Sequence, residues 1–364
     1  MKKLIAIILA LIMLLMLGAC SSNNQTPATS TPSAESTANS VEPSASTNES
    51  ESSTDTYVFS FASSFGAGSS FNTLIELPLA KLLEEKSGGR MKLEIYSGGV
   101  LGAQGTALDA VVNGTADMAY DMTSLYAGSY PYLELIDLPG WYLPGSVLGS
   151  ELVAEYDAEF ATDEFAEVKL LAHMSVGNMG VITTSPVRSV SDMKGLQIRA
   201  SGPQIPWLAS CGAVGVAMPS SEVYESIRLN VINGAILSTY AVTTFRLQEI
   251  AGYYTNFPMV SGFNIVIMNL DLYESMNDVD KAIIDDVANE FQVIAAEYGD
   301  ICIEEALNEL DTELEFIDLT DSEIEALNTL ALPLIEEKVD ELNAAGLRGT
   351  EAYNWLIEKT SQFR

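Results

Sequence analysis

The residue best suited to chemistry is an arginine at a strand end. In Met193-Lys194-Gly195-Leu196-Gln197-Ile198-Arg199-Ala200-Ser201-Gly202, a short alternating pattern delivers Arg199 to a turn made by Gly202 and Pro203. A helical pattern then begins, so Arg199 stands where a strand end would open into a cleft. Its planar fork can hold a carboxylate through two parallel hydrogen bonds, which a lysine ammonium cannot match. The ordinary alternative is an arginine pairing with one of many surface acids.

Other chemistry-bearing residues point to simpler roles. Gly66-Ala67-Gly68-Ser69-Ser70-Phe71 follows a strand and precedes a helix, but Phe71 stands where a dinucleotide loop needs its third glycine. A plain loop is expected there. His173, the single histidine, lies in an apolar strand pattern and reads as structural; no Gly-x-Ser-x-Gly elbow accompanies it. Cys20, Cys211 and Cys302 have neither metal-ligand spacing nor a disulfide framework. Cys211 and Cys302 read as buried fillers, able to pair only if their Cα atoms come within about 7 Å. The expectation is a protein without catalytic residues, metal or cofactor.

The 364 residues, 48% hydrophobic, suffice for two sizeable cores, and the net charge of −33 argues against nucleic acid and anionic membrane surfaces. Lys2 and Lys3 precede the apolar run Leu4–Leu17, 14 residues long and short for a bilayer span, then Gly18-Ala19-Cys20. This predicts a lipoprotein signal over 1–19, with lipid on the Cys20 thiol. Residues 20–56 then form a Ser/Thr/Pro-rich tether that lacks the apolar side chains to offset ordering entropy. As a flexible coil its reach is roughly 30–35 Å.

From Tyr57 strands and helices alternate. Strands are expected at 57–62, 91–95, 117–122, 168–175, 181–184, 197–200, 214–218, 235–238, 265–268 and 314–319. Helices are expected at 70–86 with a kink at Pro78, at 106–113, 203–210 and 221–229, and from 279 to about 310. Two more follow, one opened by the capping box Thr320-Asp321-Ser322-Glu323 and containing Pro333, and a last one over 351–362. The opening β-α-β-α-β order is a parallel-sheet signature. The fold class is therefore α/β, with two hinged lobes around a cleft, parallel or mixed sheets flanked by helices, and long C-terminal helices. Lobe I covers about 57–175 with part of the C-terminal region, lobe II about 176–265, and the C-terminal helices about 278–364.

Several motifs in order carry a family resemblance. Glu84-Glu85-Lys86-Ser87-Gly88-Gly89-Arg90 and Leu93-Glu94-Ile95-Tyr96-Ser97-Gly98-Gly99-Val100-Leu101-Gly102 resemble the opening block of TRAP-transporter solute receptors, the DctP-type family. Val111-Val112-Asn113-Gly114-Thr115-Ala116-Asp117-Met118-Ala119, Asp137-Leu138-Pro139 and Val190–Arg199 resemble its next blocks, the last bearing the family's signature arginine. Met218-Pro219-Ser220-Ser221-Glu222-Val223-Tyr224-Glu225-Ser226-Ile227 and Ile232-Asn233-Gly234 complete the series. The resemblance implies an extracytoplasmic receptor that closes around a small organic acid, clamps its carboxylate with Arg199 and delivers it to a TRAP membrane permease. Closure would exclude water and strengthen that charge-assisted pair.

The departures bear on the ligand. Sialic-acid-type members carry a second arginine about twenty residues upstream, where this chain has Gly177-Asn178-Met179-Gly180. Ser220 replaces a frequent aromatic, and Asn233-Gly234-Ala235-Ile236-Leu237 lacks the usual asparagine partner. A monocarboxylate with an apolar or aromatic body is therefore expected. Ligands in such folds sit beyond the carboxyl ends of parallel strands. That nominates Ser63, Ser64, Phe65, Gln104 and Thr123 from the first lobe, and Met179, Ser220 and Tyr240 from the second. Trp207 reads as packing for its own helix. Two other classes share these features: a ligand-sensing subunit of a membrane sensor, distinguished by its genomic neighbours, and a lipid-anchored enzyme, distinguished by turnover that depends on His173. The expected place is the outer face of a bacterial membrane, held by the lipid alone, as a monomer.

Overall fold

The computed structural model describes residues 54–363. The expected signal segment, the lipidation site Cys20 and the tether as far as residue 53 lie outside the described residues. In chain order the strands are β1 (Tyr57–Ala62), β2 (Met91–Tyr96), β3 (Met118–Asp121), β4 (Val168–Thr183), β5 (Gln197–Ala200), β6 (Val214–Ala217), β7 (Gly234–Leu237), β8 (Tyr253–Asn269) and β9 (Glu315–Ile317). They form one mixed sheet, ordered β2-β1-β3-β8-β4-β7-β5-β6, with β9 beside β8.

The sheet is two parallel blocks joined by an antiparallel pair. β2, β1 and β3 run parallel, as do β7, β5 and β6. β3 attaches to residues 265–268 of β8, while β7 attaches to residues 180–183 of β4, near opposite ends of the central β4·β8 ladder. Burial follows the pleat in β1, where Phe59 and Phe61 are buried and Val58 is exposed.

The two strands expected at 168–175 and 181–184 are one 16-residue strand, and the short strand at 265–268 is the end of a 17-residue one. Gly177 in β4, and Pro258 and Gly262 in β8, have the character of strand breakers, but the chain runs through them. The ladder slips register between Leu170 and Ala172, and twice between Ser175 and Met179. Gly177 lies there at φ +67°, a left-handed conformation natural to glycine. Helix Ser146–Tyr156 satisfies the displaced backbone. Ser175 N–H donates to Ser150 Oγ at 2.8 Å, and Ser146 Oγ donates to the Ser175 carbonyl at 2.6 Å. A Cβ at Gly149 would collide with Ser175 Oγ, so only glycine permits that approach. This helix and Pro131–Asp137 have no counterpart in the periodicity reading.

Residues 70–86 are helical throughout, as expected, and just ahead of Pro78 the helix opens into one wide turn, Asn72–Glu76, before continuing as Leu77–Lys86. Asn277 caps the long helix Asp278–Leu310, its side chain accepting from Asp280 N–H at 3.0 Å. At 33 residues that helix spans about 50 Å. Phe291 belongs to the core of the first block and Leu310 to that of the second. Thr320 caps helix Asp321–Ala344, as the capping box predicts. Cys211 and Cys302 are free and buried. No described helix is long and apolar enough to cross a membrane.

Trp207 fastens helix Gln204–Ser210 to the C-terminal helices. It is fully buried, donates from Nε1 to the Leu327 carbonyl at 3.2 Å, and presents its edge to Phe257. Trp207→Ala is expected to cost about 3–5 kcal/mol of stability, read as a lowered urea midpoint followed by circular dichroism.

Candidate functional site

β5 is the middle strand of its block, with Arg199 paired to Val216 on one side and Ala235 on the other. Its side chain is consequently covered, leaving Arg199 only 1% exposed. Nε donates to the Met218 carbonyl at 3.0 Å and Nη1 to the Ile236 carbonyl at 3.3 Å. Nη2 is buried without a partner. Among the described residues Arg199 makes no ion pair, and burial alone holds its guanidinium down to about 10, still protonated at neutral pH. A buried cation held like this leaves one N–H group that an anion could answer.

The guanidinium lines a cavity between the two blocks. The first block contributes Phe65 after β1, Gln104, Tyr120 on β3, and Met122 and Ser124 beyond it. The second contributes Ser201, Ser220, Ser238 and Tyr240, and the central strands supply Val176, Met179, Gly262 and Asn264. Asp137 completes the wall. It accepts from the Phe263 N–H, and burial, helped by Glu134, pushes its carboxyl well above the ordinary range. Burial therefore favours the uncharged form of Asp137, whereas Arg199 keeps its charge at neutral pH. Phe65 stacks on Phe71 with centroids 4.1 Å apart and faces Tyr120, giving the first-block wall an aromatic lining that meets Phe245 of the second block. Phe71, the residue that spoils the dinucleotide loop, is part of that core. Tyr240 hydrogen-bonds Tyr120 and Ser238.

Besides Tyr120–Tyr240 and Phe65–Phe245, the blocks are joined around the cavity by two further hydrogen bonds. Gln104 Oε1 accepts from Ser220 N–H at 3.1 Å, and Ser124 Oγ donates to Ser201 Oγ at 3.2 Å. Ser124 also lines an adjoining surface groove of about 440 Å³. The cavity itself measures about 40 Å³, room for a few waters.

Of the residues nominated from sequence, the structure brings Arg199, Phe65, Gln104, Met179, Ser220 and Tyr240 to this cavity. Ser63, Ser64 and Thr123 are not among its lining residues. The Ser63 hydroxyl turns away to donate to Glu76, a buried carboxyl raised by desolvation that also accepts from Asn72 Nδ2 at 2.9 Å. Ser64 Oγ and Thr123 Oγ1 are buried without partners. In each case the neighbour lines the wall instead, Phe65 for Ser64 and Met122 or Ser124 for Thr123. Reasoning from strand ends does not reach Asp137 and Asn264. Asp137 belongs to a recognised motif, and a polar residue inside the apolar run 263–268 is itself a signal.

His173, 3% exposed, lies elsewhere, with Nε2 3.3 Å from an Asp157 carboxylate oxygen. Among the described residues no cluster of histidine, cysteine and carboxylates could hold a metal ion.

The family model for bacterial extracellular solute-binding protein, family 7 (DctP), matches residues 62–341. The uncharacterized protein YiiZ of Salmonella typhimurium LT2 is 27% identical over 190 residues, 49% of this chain and 56% of that protein. The 2,3-diketo-L-gulonate-binding periplasmic protein YiaO of Escherichia coli K12 is 29% identical over 164 residues, 42% of this chain and 48% of that protein. The chain spans about half the length of these curated relatives. A TRAP solute-binding protein from Rhodoferax ferrireducens T118, solved with copurified benzoate, superposes with TM-score 0.79 at 20% identity, covering 85% of this chain and 98% of that one. One from Bordetella bronchiseptica, with bound (R)- and (S)-mandelate, superposes with TM-score 0.78 at 22% identity, covering 85% and 100%. At these identities the likeness speaks for a shared α/β periplasmic-binding-protein fold.

Proposed function

Because the chain belongs to bacterial extracellular solute-binding protein family 7, whose members are transport receptors rather than enzymes, we propose that it captures an apolar or aromatic monocarboxylate outside the cytoplasm for a TRAP membrane permease. The observation that carries this reading is Arg199, buried, protonated and short of one hydrogen-bond partner at the cavity wall. One carboxylate on Nη2 answers that need, and with water excluded the charge-assisted bond is strong. Phe65, Val176, Met179, Leu237 and Phe245 offer the rest of the ligand apolar surface. Among the described residues that line the cavity there is no second arginine to receive a second carboxylate. That arrangement disfavours dicarboxylates. The benzoate and mandelate bound by the two solved neighbours agree with the same ligand class.

The small cavity volume supports a cycle in which the halves part to admit ligand and meet again at Gln104–Ser220 and Ser124–Ser201. Lobe I takes in the β1 block and lobe II the β5 block, with the long C-terminal helices against both. At the other end, we place a lipid on Cys20 and a flexible tether over 20–56, holding the domain near the permease. Palmitate labelling of the native chain, lost in Cys20→Ala, checks the anchor. Calorimetry with benzoate, phenylacetate, succinate and sialate checks the ligand class. Tight succinate or sialate binding with none for the aromatic acids overturns it.

A further inference from the structure

Two buried polar atoms in the cavity wall have no partner. Among the buried side-chain nitrogen and oxygen atoms left unsatisfied in the described residues, only Arg199 Nη2 and Asn264 Oδ1 belong to residues lining this cavity. Each residue is 1% exposed. Arg199 comes from the second block, whereas Asn264 stands on β8, one of the two central strands, beside the Phe263 N–H that holds Asp137. A buried amide without its hydrogen bond carries a desolvation cost that a ligand can relieve. The first unsatisfied atom is a donor suited to a carboxylate. The second is an acceptor, and it needs a donor on the guest.

We propose that Asn264 is the second polar anchor of the cavity and that the ligand is a hydroxylated apolar monocarboxylate, its carboxylate on Arg199 Nη2 and its hydroxyl on the Asn264 amide. This rests on the monocarboxylate reading and narrows it. A hydroxyl both donates and accepts, so it matches either end of the amide. An ammonium fits less well. Burial raises the Asp137 carboxyl well above its ordinary range and so favours its uncharged form, which gives an ammonium less to pair with there. A plain apolar acid would leave the amide unanswered, and a site built to bond a hydroxyl discriminates against the analogue lacking one.

The test uses matched acids on the purified full chain by titration calorimetry: mandelate, phenylacetate and phenylglycine, with 3-hydroxybenzoate against benzoate. At least one hydroxylated acid should bind tenfold or more tightly than its unhydroxylated partner. Asn264→Leu should erase that gap, bringing the hydroxylated acid and its unhydroxylated partner to equal affinity. Equal affinities within both pairs, or phenylglycine as the tightest ligand, overturn the proposal while the monocarboxylate reading stands. A gap that survives in folded Asn264→Leu also overturns it. If none of the acids binds, the broader reading falls too. Should Asn264→Leu not fold, the matched pairs on the unaltered chain decide alone.

Discussion

Arg199→Lys is expected to bind phenylacetate more than tenfold more weakly than the unaltered chain, a loss of at least about 1.4 kcal/mol, with the fold retained. The reason lies in how three nitrogens are used. Nε and Nη1 are occupied by the Met218 and Ile236 carbonyls, which fix the plane of the fork and leave Nη2 for the ligand. A lysine ammonium is a single point with rotatable donors, so turning it toward the ligand leaves at least one buried carbonyl unanswered. Arg199→Met removes the charge altogether and should abolish detectable binding. Its thermal midpoint should fall less than the loss of two hydrogen bonds suggests, because the unpaired buried cation disappears with them. Calorimetry and thermal melts separate the two effects. Unchanged phenylacetate affinity in a folded Arg199→Lys would take this residue out of the site.

Another large effect is expected at Gly202. Its φ of +46° already favours glycine, and a Cβ there would lie 2.8 Å from the Ser124 carbonyl oxygen, in the other half of the molecule. Gly202→Val should therefore hold the turn after β5 away from the residues after β3 and break the Ser124–Ser201 contact. Crowding of this kind costs about 1–3 kcal/mol. Where that cost falls on the closed form, apparent affinity drops by roughly ten- to a hundredfold. Small-angle scattering of the ligand-saturated variant should show a larger radius than that of the unaltered chain. Native affinity together with a native radius would mean that the two loops need not meet.

The parts of the site are not equally legible in the sequence. Arg199 can be read because a strand pattern, a Gly-Pro turn and an ordered series of motifs converge on it. Phe65, Gln104 and Tyr240 follow from strand ends. Ser64 and Thr123 lie one position from side chains that reach the cavity, because the side-chain direction in a loop depends on dihedrals that composition does not encode. Asn264 is marked only by being polar in a run, Phe-Asn-Ile-Val-Ile-Met, that otherwise reads as an ordinary buried core segment, and strand-end reasoning does not reach it. β4 and β8 read too short because glycine and proline usually end strands, and here a helix supplies the missing hydrogen bonds from Ser146 and Ser150. Helix Ser146–Tyr156 itself carries Gly149 and Ser150 on its buried face, small residues suited to close approach, which erase the apolar stripe that would announce it.

The slipped stretch of β4 has a mechanical consequence. Two continuous strands, β4 and β8, link the two blocks, so any movement between the halves would have to bend this ladder. Bending would concentrate around residues 175–179, where ladder bonding gives way to the serines of a neighbouring helix. Val176 and Met179, two of the side chains that would touch a guest, belong to that compliant stretch. Occupancy would then stiffen the spring from within, coupling the ligand's own shape to how far the jaws travel and thus to what a membrane partner can feel.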